Sequence, residues 1–157
     1  MLKPILKSIL VVEDNPNDLE LTVNALEKAL LANEIIIARD GAEAADYLFR
    51  RNRHANRPAG NPAVVLLDLK LPKIDGLELL KMVRENEEIG RTPIVLLTSS
   101  REERDVVNGY KLGVNAYVVK PVDFAEFVQA IQELGAFWAV LNEPPPPGAR
   151  RSAVPHG

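Results

Sequence analysis

The chain of 157 residues contains no cysteine, which excludes disulfides, Cys-ligated zinc and thiol catalysis. Histidine is nearly as scarce: His54 and His156 are the only two, both in polar stretches, which argues against a Ser–His–Asp device. No apolar run reaches the roughly 18 residues that a membrane-spanning helix needs. The N-terminal stretch MLKPILKSILVVEDN runs into an acidic pair rather than a small-residue cleavage site. These absences are read as a soluble, cytoplasmic protein with no membrane partner. A basic surplus is also missing: net charge is −3 and the sequence pI is about 5.5, which argues against a nucleic-acid partner. What remains is 46% hydrophobic, enough in one domain of this length to bury a real core.

Five short apolar runs stand out: SILVV (8–12), EIIIA (34–38), AVVLL (63–67), PIVLL (93–97) and AYVV (116–119). They are continuous rather than alternating, as strands covered on both faces should be. Segments of helical period lie between them, marked by Leu19, Val23, Leu26 and Leu30, by Ala42, Ala45, Leu48 and Phe49, and by Leu80 and Val83. The last carries Phe124, Phe127, Val128, Ile131, Leu134, Trp138 and Leu141. Helix starts are signed by Asn15 before Pro16, and by the pairs Asp40/Glu43, Asp75/Glu78, Ser100/Glu103 and Asp123/Glu126 at cap-x-x-acid spacing. Strand–helix alternation five times over predicts a (βα)5 doubly wound α/β fold with a five-stranded parallel sheet. Residues 1–142 form the domain. The stretch 143–157 is a Pro-rich arm with five of the twelve prolines, four of them consecutive, and favours an extended rod.

In such a sheet, ligands bind beyond the carboxyl ends of the strands. Glu13 and Asp14 follow the first strand, Asp68 the third, Thr98 and two serines the fourth, and Lys120–Pro121 the fifth. Carboxylates crowded together raise one another's pKa unless a cation joins them. Oxygen ligands without Cys or His point to a hard divalent ion, Mg²⁺ above all. One carboxylate is then left over as a nucleophile, and a phosphoryl group on it would meet a metal, an ammonium and a hydroxyl.

VVEDN, LLDLKLPKIDG, LLTSS and AYVVKPVD, in this order at strand ends, resemble the receiver domain of bacterial two-component response regulators, a flavodoxin-like fold. The likeness runs from residue 8 to about 135, and the intervals Asp68–Thr98 (30) and Thr98–Lys120 (22) agree with that family. The resemblance implies Asp68 as phosphoacceptor for a histidine kinase. It implies Mg²⁺ held by Asp14 and Asp68 directly, by Glu13 through water and by the Lys70 backbone carbonyl. It further implies Lys120 against the phosphoryl oxygens, Thr98 and Tyr117 as the switch pair, and a cis Lys120–Pro121 bond. LTSSREERDV, KPVDFAEF and the ending FWAVLNEPPPP resemble more narrowly the single-domain regulators that partner bacterial phytochromes, so the kinase implied is a bacteriophytochrome.

Departures from the pattern are also informative. A helix from Asp123 to Asn142 would span about 30 Å, longer than five-residue strands require. The apolar residues at its far end predict a homodimer, and the receiver resemblance implies association through the fourth and fifth helices. Phe137, Trp138, Leu141, Pro144 and Pro145 would form the interface, with the arm laid on the neighbour. RRNRHANRPAGN (51–62) is read as a solvated basic loop without secondary structure. The segment 143–157 is too short and proline-rich for a DNA-binding output domain. Two other readings use the same acids. A Mg²⁺-dependent phosphohydrolase of the dehalogenase type needs a second acid two positions after its nucleophile, where Lys70 stands. A phosphate-independent scaffold would have no need of the acids, Thr98 and Lys120 together.

Overall fold

The computed structural model describes residues 7–28, 33–58, 60–99, 101–108, 110–114 and 116–133. Strands β1 (Ile9–Val12), β2 (Ile35–Ala38), β3 (Val64–Asp68), β4 (Ile94–Thr98) and β5 (Ala116–Val119) alternate with helices α1 (Pro16–Lys28), α2 (Gly41–Leu48), α3 (Gly76–Glu85), α4 (Arg101–Asn108) and α5 (Phe124–Glu133). The strands form one parallel sheet in the order β2-β1-β3-β4-β5. Strand order reverses between β1 and β3, the place where such sheets bind ligands.

Side chains alternate across the sheet, so each central strand feeds two cores. Ile9, Val11, Val64, Leu66, Val95 and Leu97 face α1 and α5, where Leu26 and Phe127 close the layer. Leu10, Val12, Val65, Leu67 and Leu96 face the other side, with Leu48, Leu79, Leu80 and Val107 from α2, α3 and α4. Continuous burial holds for β1, β3 and β4. The outer strands β2 and β5 are only partly covered, because each lacks a neighbour on one side.

The expected caps at Asn15, Asp40, Asp75 and Asp123 each accept the backbone N–H three residues on, at 2.8–2.9 Å. Ser100 lies outside the described residues. Glu103, its expected partner, accepts from the Ser99 N–H at 2.7 Å. The helical face expected at Leu19 and Leu26 is buried, whereas Phe124, expected on the core face of the last helix, is exposed. It is the first residue of α5 and lies beyond the layer that Phe127 and Ala130 complete. Leu30, Leu134 and the interface residues Phe137, Trp138, Leu141, Pro144 and Pro145 all lie outside the described residues.

The basic segment 51–62 departs from its expected form. Asn52–His54 make a short 3₁₀ turn. The Arg57 guanidinium donates to the carbonyls of Tyr47, Leu48, Pro58 and Gly60 and stacks 4.3 Å over the Tyr47 ring. One cation thus satisfies four carbonyls left over where α2 ends and the chain turns toward β3. Arg84 does the same from α3, donating to Leu112, Gly90 and Thr92 carbonyls at 2.9–3.0 Å.

Candidate functional site

Glu13 and Asp68 come abreast because β1 pairs with β3 in register, Val12 beside Leu67. Glu13, Asp68 and Lys120 continue the parity of Val11, Leu66 and Val118, all residues of the α1/α5 core. Thr98 and Tyr117 belong to the opposite parity, on the side of α4.

The loop after Asp68 is fixed by close backbone contact. Gly76 starts α3 with its Cα so near β3 that an added Cβ would lie 2.3 Å from the Asp68 carbonyl oxygen. Its N–H donates to the Leu69 carbonyl at 2.8 Å. Lys73 holds a left-handed backbone, φ 70°, and its ammonium lies 3.4 Å from Asp40. The IDG stretch is therefore the clasp that sets where β3 ends.

Glu13, Asp14 and Asp68 bring one carboxylate oxygen each within 4.8 Å of one another. Glu13 is wholly buried, Asp68 nearly so, and Asp14 faces solvent. Burial and the neighbouring Asp68 push the Glu13 carboxyl up to about 7, against the opposing pull of Lys120 and the Asn15 N–H. A donor set of three carboxylates with no nitrogen or sulfur fits a hard divalent cation such as Mg²⁺. Such a charge would also relieve the repulsion written into Glu13.

Lys120 reaches back over these acids. Its Nζ lies 3.1 Å from Glu13 Oε1, 3.2 Å from Asp68 Oδ2 and 3.0 Å from Asp18 Oδ2. Burial alone would depress the ammonium, but bonds to Asp18 and Glu13 and the charge of Asp68 outweigh it and hold its pKa above the ordinary lysine value. The Lys120–Pro121 peptide is cis, as the resemblance implied. Asp18 was not among the residues singled out from the sequence. An acid in the first turn of a helix reads there as a partner of the helix dipole.

Thr98 ends β4, one strand over from Asp68. Its hydroxyl is buried and has no hydrogen-bond partner, an open site for an acceptor or donor brought by a ligand. Tyr117 sits two positions before the end of β5. Its ring lies partly buried in the core beside α4, and its hydroxyl donates to Asn108 at the end of α4, with the Val114 carbonyl 3.3 Å away. The structure thus gathers Glu13, Asp14, Asp68 and Lys120, sets Thr98 at the adjacent strand end, and turns Tyr117 toward α4. The Lys70 N–H lies 3.4 Å from Asp68 Oδ1, and the Lys70 ammonium is 3.4 Å from Glu103. A cleft of about 530 Å³ opens beside the acids, lined by Leu71, Pro72, Leu77, Val106 and Val107, with Asp14 at its rim.

Comparison with known proteins agrees with this geometry. Residues 9–132 match the family model for the response regulator receiver domain. Response regulator Rcp1 of Synechocystis sp. is 38% identical over 132 residues, 84% of this chain and 88% of its own. The solved bacteriophytochrome response regulator AtBRR superposes with a TM-score of 0.83 at 63% identity, covering 89% of this chain and all of that one. Rcp1, solved in a Mn(2+)-bound form, gives 0.69 at 37% identity over 90% of this chain and 99% of that one. The phosphorylated cyanobacterial phytochrome response regulator RcpA gives 0.68 at 37% identity over 85% and 94%.

Proposed function

The chain belongs to the response regulator receiver family and is related to the phytochrome response regulators, and from this premise we propose that it takes a phosphoryl group from a histidine kinase onto Asp68 with Mg²⁺. The observation that carries this reading is one ammonium, Lys120, shared at 3.1–3.2 Å between Asp68 and a buried Glu13 beside Asp14. An oxygen of Asp68 attacks the phosphorus of a phosphohistidine. A P–O bond forms as the P–N bond breaks, and the electron pair returns to the imidazole nitrogen, which takes up a proton. Glu13, Asp14, Asp68 and the Lys70 carbonyl would hold the Mg²⁺, which when bound neutralises charge on the transferring oxygens. The β3–α3 clasp keeps Asp68 from shifting as the bond forms. Lys120 follows the phosphoryl oxygens, and the unpartnered Thr98 hydroxyl finds its acceptor there.

Signalling follows as a population shift. Thr98 moving toward the phosphoryl group changes the space beside Tyr117, whose hydroxyl bridges β5 to the end of α4. On that surface Val119 of β5 is exposed, and the Arg104 guanidinium of α4 lies over the Tyr117 ring. We place protein contact there, with a homodimer through the fourth and fifth helices and the arm 143–157 following the receiver domain 1–142. The kinase implied is a bacteriophytochrome, and the cytoplasm is the compartment. No helix among the described residues is long and apolar enough to cross a membrane.

Phosphotransfer from a radiolabelled bacteriophytochrome kinase tests the reading. Label should leave the kinase and appear on this chain within seconds to minutes, and Asp68→Asn should receive none. Label that stays on the kinase, with acetyl phosphate equally unused, would overturn it.

A further inference from the structure

We propose that Asp18 is a positioning residue that takes up the Lys120 ammonium when a divalent cation claims Glu13 and Asp68. The inference rests on the receiver reading, and concerns a residue which that reading leaves without a role.

An ammonium has three donors. Those of Lys120 meet three carboxylates: Glu13 at 3.1 Å, Asp68 at 3.2 Å and Asp18 at 3.0 Å. Two of the three belong to the group whose oxygens converge to hold a metal; Asp18 does not. Lysine and metal therefore compete for the same two acids. The Lys120 side chain is only 15% exposed, so an ammonium displaced from both acids could not turn fully to water. It needs an acceptor outside the metal's reach.

Asp18 is built to be that acceptor. It lies in the first turn of α1, whose start is fixed by the bond from its own N–H to Asn15 Oδ1 at 2.9 Å. The next residue, Leu19, anchors the turn in the core. Its side chain is 30% exposed against 0% for Glu13, so water relieves its charge while the ammonium shifts between partners. Coming from a helix, it approaches Lys120 independently of the strand ends that carry the metal acids. The ammonium is then retained at the site and ready for the phosphoryl oxygens.

Mg²⁺ titration by calorimetry of the full, unphosphorylated chain tests this in a double-mutant cycle. Asp18→Asn should weaken Mg²⁺ binding about threefold to tenfold, because the ammonium then leans on Glu13 and Asp68. Lys120→Met, which keeps the stem, should tighten it, and adding Asp18→Asn to Lys120→Met should change nothing further. Asp18→Glu should keep most of the parent affinity. Equal weakening in both backgrounds would mean simple charge attraction between Asp18 and the cation, and would overturn the proposal, as would no weakening in either. Acetyl phosphate supplies the second arm: at saturating Mg²⁺, Asp18→Asn should accept phosphate more slowly than the parent and Asp18→Glu should recover. A parent that shows the coupling yet accepts no phosphoryl group would sink the receiver reading and leave the role of Asp18 standing.

Discussion

At the scale of single residues, the acids owe their legibility to position. Glu13, Asp14, Asp68, Thr98 and Lys120 each follow or end a hydrophobic run, and a charge or hydroxyl at such a place needs a reason. Asp18, Arg57 and Arg84 were not legible, because the partner of Asp18 comes from a distant strand end and those of the arginines are backbone carbonyls that no residue type announces, so an isolated acid or arginine in a polar stretch looks solvated. Glu13 carries a pH signature. Its carboxyl is raised from 4.5 to about 7, so between those values the folded state holds more protons than the unfolded one. Stability contributed by Glu13 therefore falls as pH rises through this window and levels above it. Thermal melts in chelator from about pH 5 to 8 should show this slope in the parent and lose it in Glu13→Gln; Mg²⁺ should stabilise the parent more as pH rises to about 7. Equal slopes in the two proteins would contradict it. Thr98 offers a second test. Its buried hydroxyl has no partner, so Thr98→Val should leave stability unchanged or raise it by about 1 kcal/mol. It should still accept phosphate on Asp68, but hydrogen exchange in α4 should no longer respond to phosphorylation.

At the scale of elements, alternation of apolar runs with capped helical segments was enough to read five βα units, and observed strands start one residue later than those runs at β1 through β4. The caps were readable because an Asx side chain acts on a donor three residues on, a purely local event. The 3₁₀ turn at Asn52–His54 was not, because it is held from α2, by the Asn52 amide donating to Asp46 at 2.9 Å and by the Tyr47 ring edge-on to His54, and the composition of 51–62 does not show those partners. The IDG clasp belongs at this scale too. A methyl at Gly76 would drive into the carbonyl of Asp68, a backbone atom that cannot rotate away. Gly76→Ala should cost about 1–3 kcal/mol or more in chemical denaturation. It should also slow phosphorylation, since the end of β3 must move to admit the methyl. A neutral result would mean that α3 and β3 separate freely, against the contact described.

At the scale of the molecule, the sheet order and its two cores place the acids at the β1/β3 reversal, and that much follows from parallel βα topology. Association does not follow from topology. Val119 on edge strand β5 is 49% exposed, a large apolar side chain open to a partner. The apolar end of the last helix and the proline arm lie outside the described residues, so the expected interface at Phe137, Trp138, Leu141, Pro144 and Pro145 is a matter for solution measurement. Light scattering should give a dimer for the full chain and a monomer for a chain ending at Leu134. A shortened chain that remains dimeric would move the interface onto α4 and β5 alone.

The central claim, that Asp68 is a phosphoacceptor set among metal-binding acids and one lysine, is tested most directly by intact-mass spectrometry after incubation with acetyl phosphate and Mg²⁺. The account predicts one phosphoryl adduct on the parent, lost when Mg²⁺ is removed and absent from Asp68→Asn. An adduct of equal yield on folded Asp68→Asn, or none on the folded parent with either acetyl phosphate or a phosphohistidine donor, would contradict it.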